Sequence, residues 1–290
     1  MSPQLDFRAL AERAARESQL LPVVEKELLH YEILTALATN GYLRDLTFQG
    51  GTALRLCYGS DRYSEDLDFT GGTSFDEACL VSMGDAIRDS IRSRYAVDVV
   101  VKNPKPGDAN AGVSVRTWQV QVITAPGRSD IPQQRIKLEI AAVPSHTRAI
   151  RAIQVNYTEV AATHADTLLA VETLDEITAD KAVSVCAAKV LRYRDLWDLR
   201  WLSTQGRRDH ALVAELVAKK VADYGISEYP AKVAAFVDRL PSVVESAQFL
   251  DQMRRFVPRQ VLARTLDRSE FREHLAATVS ELLISAVSLV

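Results

Sequence analysis

The segment that most restricts this chain runs from Phe48 to Phe69: a Gly50-Gly51-Thr52 turn, about one helix of sequence, then Asp66-Leu67-Asp68. Residues 46–49 read as a short apolar strand feeding the turn, 53–58 as the following helix with Thr52 as its cap, and Leu67–Thr70 as a second strand stopped by Gly71-Gly72. A Gly-rich turn after a strand offers backbone N–H groups to an anion. Alternation along a strand places Asp66 and Asp68 on one face, roughly 7 Å apart. Two carboxylates so placed repel unless a proton or cation lies between them. A hard cation suits them, because it takes a few carboxylates and completes its shell with substrate phosphate oxygens. Together these features predict a site for a nucleoside triphosphate (NTP) and Mg²⁺, with Mn²⁺ as an alternative ion.

A third carboxylate on a neighbouring strand would complete such a metal site. Gln134–Ala141 alternates cleanly, with Arg135, Lys137 and Glu139 on one face and Ile136, Leu138 and Ile140 on the other. Glu139 is therefore the third expected ligand after Asp66 and Asp68. The chemistry that fits is in-line attack by a hydroxyl on the α-phosphorus with pyrophosphate leaving, Glu139 helping to remove the proton.

Around this centre the N-terminal half reads as mixed α and β. Residues 5–18 and 21–40 carry the pattern of amphipathic helices, 74–94 that of a long helix capped by Ser74, and 97–102 and 113–124 that of strands joined through 104–112. Strand signals fade after Tyr157. From Ile177 onward the pattern is helical, with candidate helices at 180–192, 195–204, 210–224, 229–239, 243–256 and 260–290, separated by Gly206, Gly225, Pro241 and Pro258. The expected class is α+β, with a nucleotide-binding domain over 1–160 and an all-helical domain over 161–290.

Composition sets the outer limits. A hydrophobic fraction of 47% and a charged fraction of 25% are ordinary for a globular chain. No apolar run reaches the ~18 residues that span a bilayer, and residues 1–8 lack a signal-peptide pattern, so a cytoplasmic protein with no membrane partner is expected. Cys57, Cys79 and Cys186 lie too far apart to suggest a metal knuckle or a disulfide framework. The five histidines show no paired ligand spacing. The net charge of −3 divides unevenly: residues 181–290 hold 17 Lys and Arg against 13 Asp and Glu, and residues 1–180 hold 18 against 25. A dedicated nucleic-acid binder is usually basic overall, so any RNA contact here is local, with the C-terminal half the better place for it.

Downstream, Lys181 opens a helical segment and offers a compact positive charge for phosphate. Asp195 and Asp198 are spaced i, i+3 on one helix face and are flanked by Arg192 and Arg194. Two roles stand open for this pair: ion pairing that fixes Lys181, Arg194 or Arg192, or direct participation in catalysis or substrate binding. Trp197 and Trp201 are spaced for the core. Arg55, one turn beyond the glycines, is a candidate phosphate or RNA contact, as is Ser64 near the metal face, whereas Arg62 reads as a solvated side chain.

These blocks resemble the nucleotidyltransferase toxins of the AbiEii/AbiGii type, which include the MenT-like toxins of toxin–antitoxin systems. The resemblance runs through Gly50-Gly51-Thr52-Ala53-Leu54-Arg55, through Arg62-Tyr63-Ser64-Glu65-Asp66-Leu67-Asp68-Phe69, through Asp180-Lys181, and through Arg192-Tyr193-Arg194-Asp195-Leu196-Trp197-Asp198-Leu199. It implies a DNA-polymerase-β-like nucleotidyltransferase domain with a helical C-terminal domain, a role in toxin–antitoxin or phage-defence systems, and a separate antitoxin protein as partner. It also implies transfer of a nucleotide from an NTP to RNA at the tRNA 3′ end, which blocks aminoacylation and translation. On that resemblance Asp66, Asp68, Glu139, Lys181 and Asp195 are the catalytic candidates. Gly50, Gly51, Thr52, Arg55, Ser64, Lys181, Arg194 and Asp198 are the nucleotide-binding ones. Transfer to a protein or small-molecule acceptor, and nucleotide binding without turnover, are the competing expectations.

Overall fold

Segments between Thr47 and Glu172 assemble into a seven-stranded mixed sheet, seen in a computed structural model that describes residues 4–104, 113–124, 127, 132–206 and 209–289. In chain order the elements are α1 (Phe7–Ala14), α2 (Leu21–Thr39), β1 (Thr47–Gln49), α3 (Gly50–Tyr58), β2 (Leu67–Thr70), a 3₁₀ turn (Glu77–Leu80), α4 (Met83–Tyr95), β3 (Asp98–Lys102), β4 (Val115–Ile123), β5 (Gln134–Ala141), β6 (Arg148–Ala152), α5 (Thr158–His164) and β7 (Leu168–Glu172). The strand order is β3-β4-β5-β2-β1-β7-β6. β2 runs antiparallel to β1 and parallel to β5, and β1 runs parallel to β7.

Register divides the sheet chemically. Leu67 faces Leu138 and Phe69 faces Ile140, all buried, while Asp68 faces Glu139 on the alternate side. Thr117, Gln119 and Gln121 of β4 sit opposite Glu139, Lys137 and Arg135 on that same polar side. Helices cover the apolar side: α2 packs on β5 and α4, and α4 packs on β3.

Several local expectations change. The 74–94 helix is two pieces: Asp76, not Ser74, caps the 3₁₀ turn, and α4 begins only at Met83. The 104–112 connection lies, from 105 onward, outside the described residues. Beyond Tyr157, where strand signals fade, β7 adds a parallel strand whose Leu169 and Val171 are buried. Reading α2 as amphipathic also fails. Its Glu25, Glu27, His30 and Glu32 are all buried beside its apolar residues.

The chain divides into two units, 1–59 with 63–171, and 60–62 with 172–290. The second is built from α6 (Leu174–Ala187), α7 (Tyr193–Ser203), α8 (His210–Asp223), α9 (Tyr229–Val244), α10 (Ala247–Arg254), α11 (Arg259–Arg264) and α12 (Ser269–Ala286). Thr173 caps α6 by accepting from the Glu176 N–H, the hydroxyl half of a capping box. Leu196, Leu199, Val217, Phe236, Phe249 and Leu283 sit in the core of this unit. Trp197 and Trp201 are buried as their spacing predicts. No helix among the described residues is long and apolar enough to cross a membrane.

Candidate active site

β1 ends at Gln49, directly opposite Asp68 on β2, so the chain turns into α3 over that carboxylate. Gly50 takes φ of +78°, and a Cβ placed on it would lie 2.8 Å from Asp68 Oδ2. Glycine is thus required twice, by its left-handed backbone and by its close approach to an acid. The glycines form the first turn of α3 rather than a loop before it. Thr52 therefore lies inside the helix, and its hydroxyl donates to the Asp66 carbonyl instead of capping.

Asp66, just ahead of β2, accepts the Lys137 N–H on Oδ1 at 3.2 Å. Glu139, in register with Asp68, accepts from the Thr117 hydroxyl at 3.5 Å, with the Lys137 ammonium 3.9 Å away. Asp68 and Glu139 are both half-buried. An all-oxygen donor set, beside backbone that a single methyl would fill, has the chemistry of a hard-cation and phosphate site. Arg55 is turned to Glu27 of α2, Nε to Oε2 at 2.9 Å, with its guanidinium 4.5 Å from the Tyr63 ring centroid. Ser64 is buried.

The second unit gathers the downstream block. Lys181 Nζ donates to Asp195 at 2.5 Å and lies 3.1 Å from Asp198. Asp198 also receives both Nε and Nη2 of Arg62, which is only 2% exposed, so the expectation of a solvated Arg62 is overturned. The reason is geometric: the planar guanidinium matches a carboxylate edge, and a buried Asp198 needs a full counter-charge. Burial alone would raise the Asp198 pKa; Arg62 and Lys181 outweigh it and hold the carboxyl below its ordinary value. Burial likewise works against the Lys181 charge, and Asp195 with Asp198 reverses it and raises that pKa. Arg194 lies over the Phe256 ring, 4.6 Å from its centroid.

A second acidic group stands in the same unit. Among the described residues, Glu172, Glu176 and Asp180 are the three acids whose ligand atoms all lie within 4.8 Å of one another; Asp66, Asp68 and Glu139 do not meet that spacing. The Lys220 ammonium lies 3.1, 2.8 and 3.0 Å from them. A fully buried ammonium at the centre makes this a salt-bridge node rather than a cation site, since a metal there would have to displace a charge already in contact with all three. Burial, with Asp180 beside it, pushes the Glu172 carboxyl well above the ordinary range.

The sequence model described as the nucleotidyl transferase AbiEii toxin of a type IV toxin–antitoxin system matches residues 32–281. The chain belongs to the AbiEii nucleotidyltransferase toxin family. This AbiEii toxin is accordingly a nucleotidyltransferase of a toxin–antitoxin system, acting on an NTP and partnered by an antitoxin. In fold the AbiEii toxin is similar to MenT4, a nucleotidyltransferase toxin from Mycobacterium tuberculosis H37Rv, with a TM-score of 0.70 at 19% identity over 99% of this chain and 91% of that one. JHP933 from Helicobacter pylori is 19% identical over 91% of each chain, with a TM-score of 0.48. No curated protein matches the AbiEii toxin sequence.

Proposed function

We propose that this toxin transfers a nucleoside monophosphate from an NTP to the 3′ end of RNA, with the tRNA acceptor end as the leading substrate and the cytoplasm as its place of action. The observation that carries this reading is the register of Asp68 with Glu139 beside the left-handed Gly50. Asp66, Asp68 and Glu139 would hold Mg²⁺, which neutralises triphosphate charge and favours pyrophosphate as leaving group. The Gly50-Gly51 backbone and Thr52 are the proposed phosphate contacts. The acceptor hydroxyl oxygen forms its bond to the α-phosphorus as the α–β bridging bond breaks, and Glu139 takes the hydroxyl proton. Lys181, Arg55, Ser64 and Arg194 remain proposed nucleotide contacts. Asp195 and Asp198 orient Lys181 through the bonds described above.

RNA is favoured over a small acceptor by one sequence stretch of the helical unit. Arg255, Arg259, Arg264 and Arg268 are all exposed, while Arg254 is paired with Asp251 and Asp267 stands between Arg264 and Arg268. Such a stretch supplies backbone phosphate contacts without sequence reading. The test follows label from each of four α-labelled NTPs. Label should enter the RNA fraction, and the labelled tRNA should no longer accept an amino acid. Label confined to a protein band or a small-molecule fraction would contradict the RNA reading, and no label at all would leave only a binding module.

Gly50→Ala should lower transfer by about 10²-fold, because a displacement of the Asp68 carboxylate on the order of 1 Å suffices for that loss. The left-handed backbone adds a stability cost of only about 1–2 kcal/mol. Activity and melting temperature measured on the same preparation check this. A fully active Gly50→Ala would show that the turn does not shape the site.

A further inference from the structure

The stretch from 61 to 66 belongs to neither helix nor strand, yet its end is fixed at four points within the first unit. Lys26 and His30 are spaced i, i+4 on α2 and so lie on one face. Lys26 Nζ donates to Glu65 Oε1 at 2.7 Å. His30 Nε2 lies 3.0 Å from the Glu65 carbonyl oxygen. A carbonyl only accepts, so the ring carries a proton on Nε2 and donates it. His30 is 1% exposed, which makes that bond its anchor in the core. The next residue is then held by the Thr52 hydroxyl at its carbonyl and by the Lys137 N–H at its carboxylate.

Placing acids side by side for a cation works only if something other than the cation holds them against mutual repulsion. β-pairing does this for Asp68, but Asp66 precedes the strand and has no ladder partner of its own. We propose that Lys26 and His30 are positioning residues that hold the Glu65–Asp66 peptide and thereby fix where the Asp66 carboxylate meets the metal. This deepens the proposed function and rests on Asp66 and Asp68 being its metal ligands. Both residues act through residue 65 and touch no reacting atom.

The probe is Mn²⁺, titrated into the full chain and followed by loss of the free-ion electron spin resonance signal, with melting temperature recorded for each variant. His30→Phe keeps the ring volume and removes the donor; Lys26→Met removes the charge at a side chain still 14% exposed, so it tests the idea even if His30→Phe does not fold. Each should weaken Mn²⁺ binding by about 10- to 100-fold, the usual loss when a partner of a ligand is removed. His30→Gln, whose amide nitrogen can occupy the Nε2 position, should recover most of the affinity. Asp68→Asn is the reference. If it loses Mn²⁺ while His30→Phe and Lys26→Met bind as the parent does, the positioning role is wrong, even if both variants melt earlier. If Asp68→Asn itself binds Mn²⁺ as the parent does, the metal reading of Asp66 and Asp68 fails first.

Discussion

Asp68→Asn should abolish nucleotidyl transfer, by at least about 10³-fold, while leaving the protein folded. The size follows from what the carboxylate would do: a metal held at the triphosphate is worth several kcal/mol of charge stabilisation in the transition state, and each 1.4 kcal/mol is tenfold in rate. Stability should move little, because asparagine keeps the shape of the side chain and Asp68 shares its sheet face with a second carboxylate, Glu139. Growth inhibition by the expressed toxin should vanish with the enzymatic activity. Transfer by Asp68→Asn within tenfold of the parent would remove Asp68 from the reaction.

Asp198→Ala should act mainly on stability. Asp198 is fully buried and receives Arg62 and Lys181 together. Removing it takes away the carboxylate that receives both of these buried cations. Breaking one side of a buried pair typically costs about 3–5 kcal/mol. Trp197 and Trp201 lie on the same helix and Trp118 on β4, so urea unfolding followed by tryptophan fluorescence in a Trp118→Phe background reads the affected unit. A loss under about 1 kcal/mol would show that the network adds little. The pH dependence has a fixed sign. The folded pKa of Asp198 is depressed. Its contribution is therefore fully present above the unfolded value of about 4 and is lost as pH falls through the lower folded value. The gap between parent and Asp198→Ala should accordingly be constant from neutral pH down to about pH 5 and narrow only in stronger acid.

The strands that carry the candidate site were legible because their alternation is uninterrupted: 67–70 and 134–141 are β2 and β5 residue for residue, and Asp68 meets Glu139 across them. β7 was not legible. Leu168–Glu172 is a short apolar run without alternation, and its parallel pairing to β1 comes from a distant part of the chain. Pro241 was read as a stop, yet α9 runs one further turn, to Val244. The 260–290 helix breaks between Arg264 and Ser269. Buried charge misled most. Arg62 and the acids of α2 look like solvent-facing residues when only spacing is considered, because their partners lie far away in sequence. Arg62 meets Asp198, Glu27 meets Arg55, and Glu25 meets Gln134. The acids proposed as ligands were visible as a motif, whereas the contacts of Lys26 and His30 to Glu65 had no local signal.

Among the described residues, Asp66, Asp68 and Glu139 lie in the first unit, and Glu172, Glu176 and Asp180 cluster around Lys220. Crystals soaked with Mn²⁺ and a non-hydrolysable NTP, measured at the manganese absorption edge, would show where the cation binds. The anomalous peak should lie in contact with the Asp66 and Asp68 carboxylates and the triphosphate oxygens. A peak among Glu172, Glu176 and Asp180, or none beside Asp66 and Asp68 with nucleotide bound, would contradict the metal reading of Asp66 and Asp68.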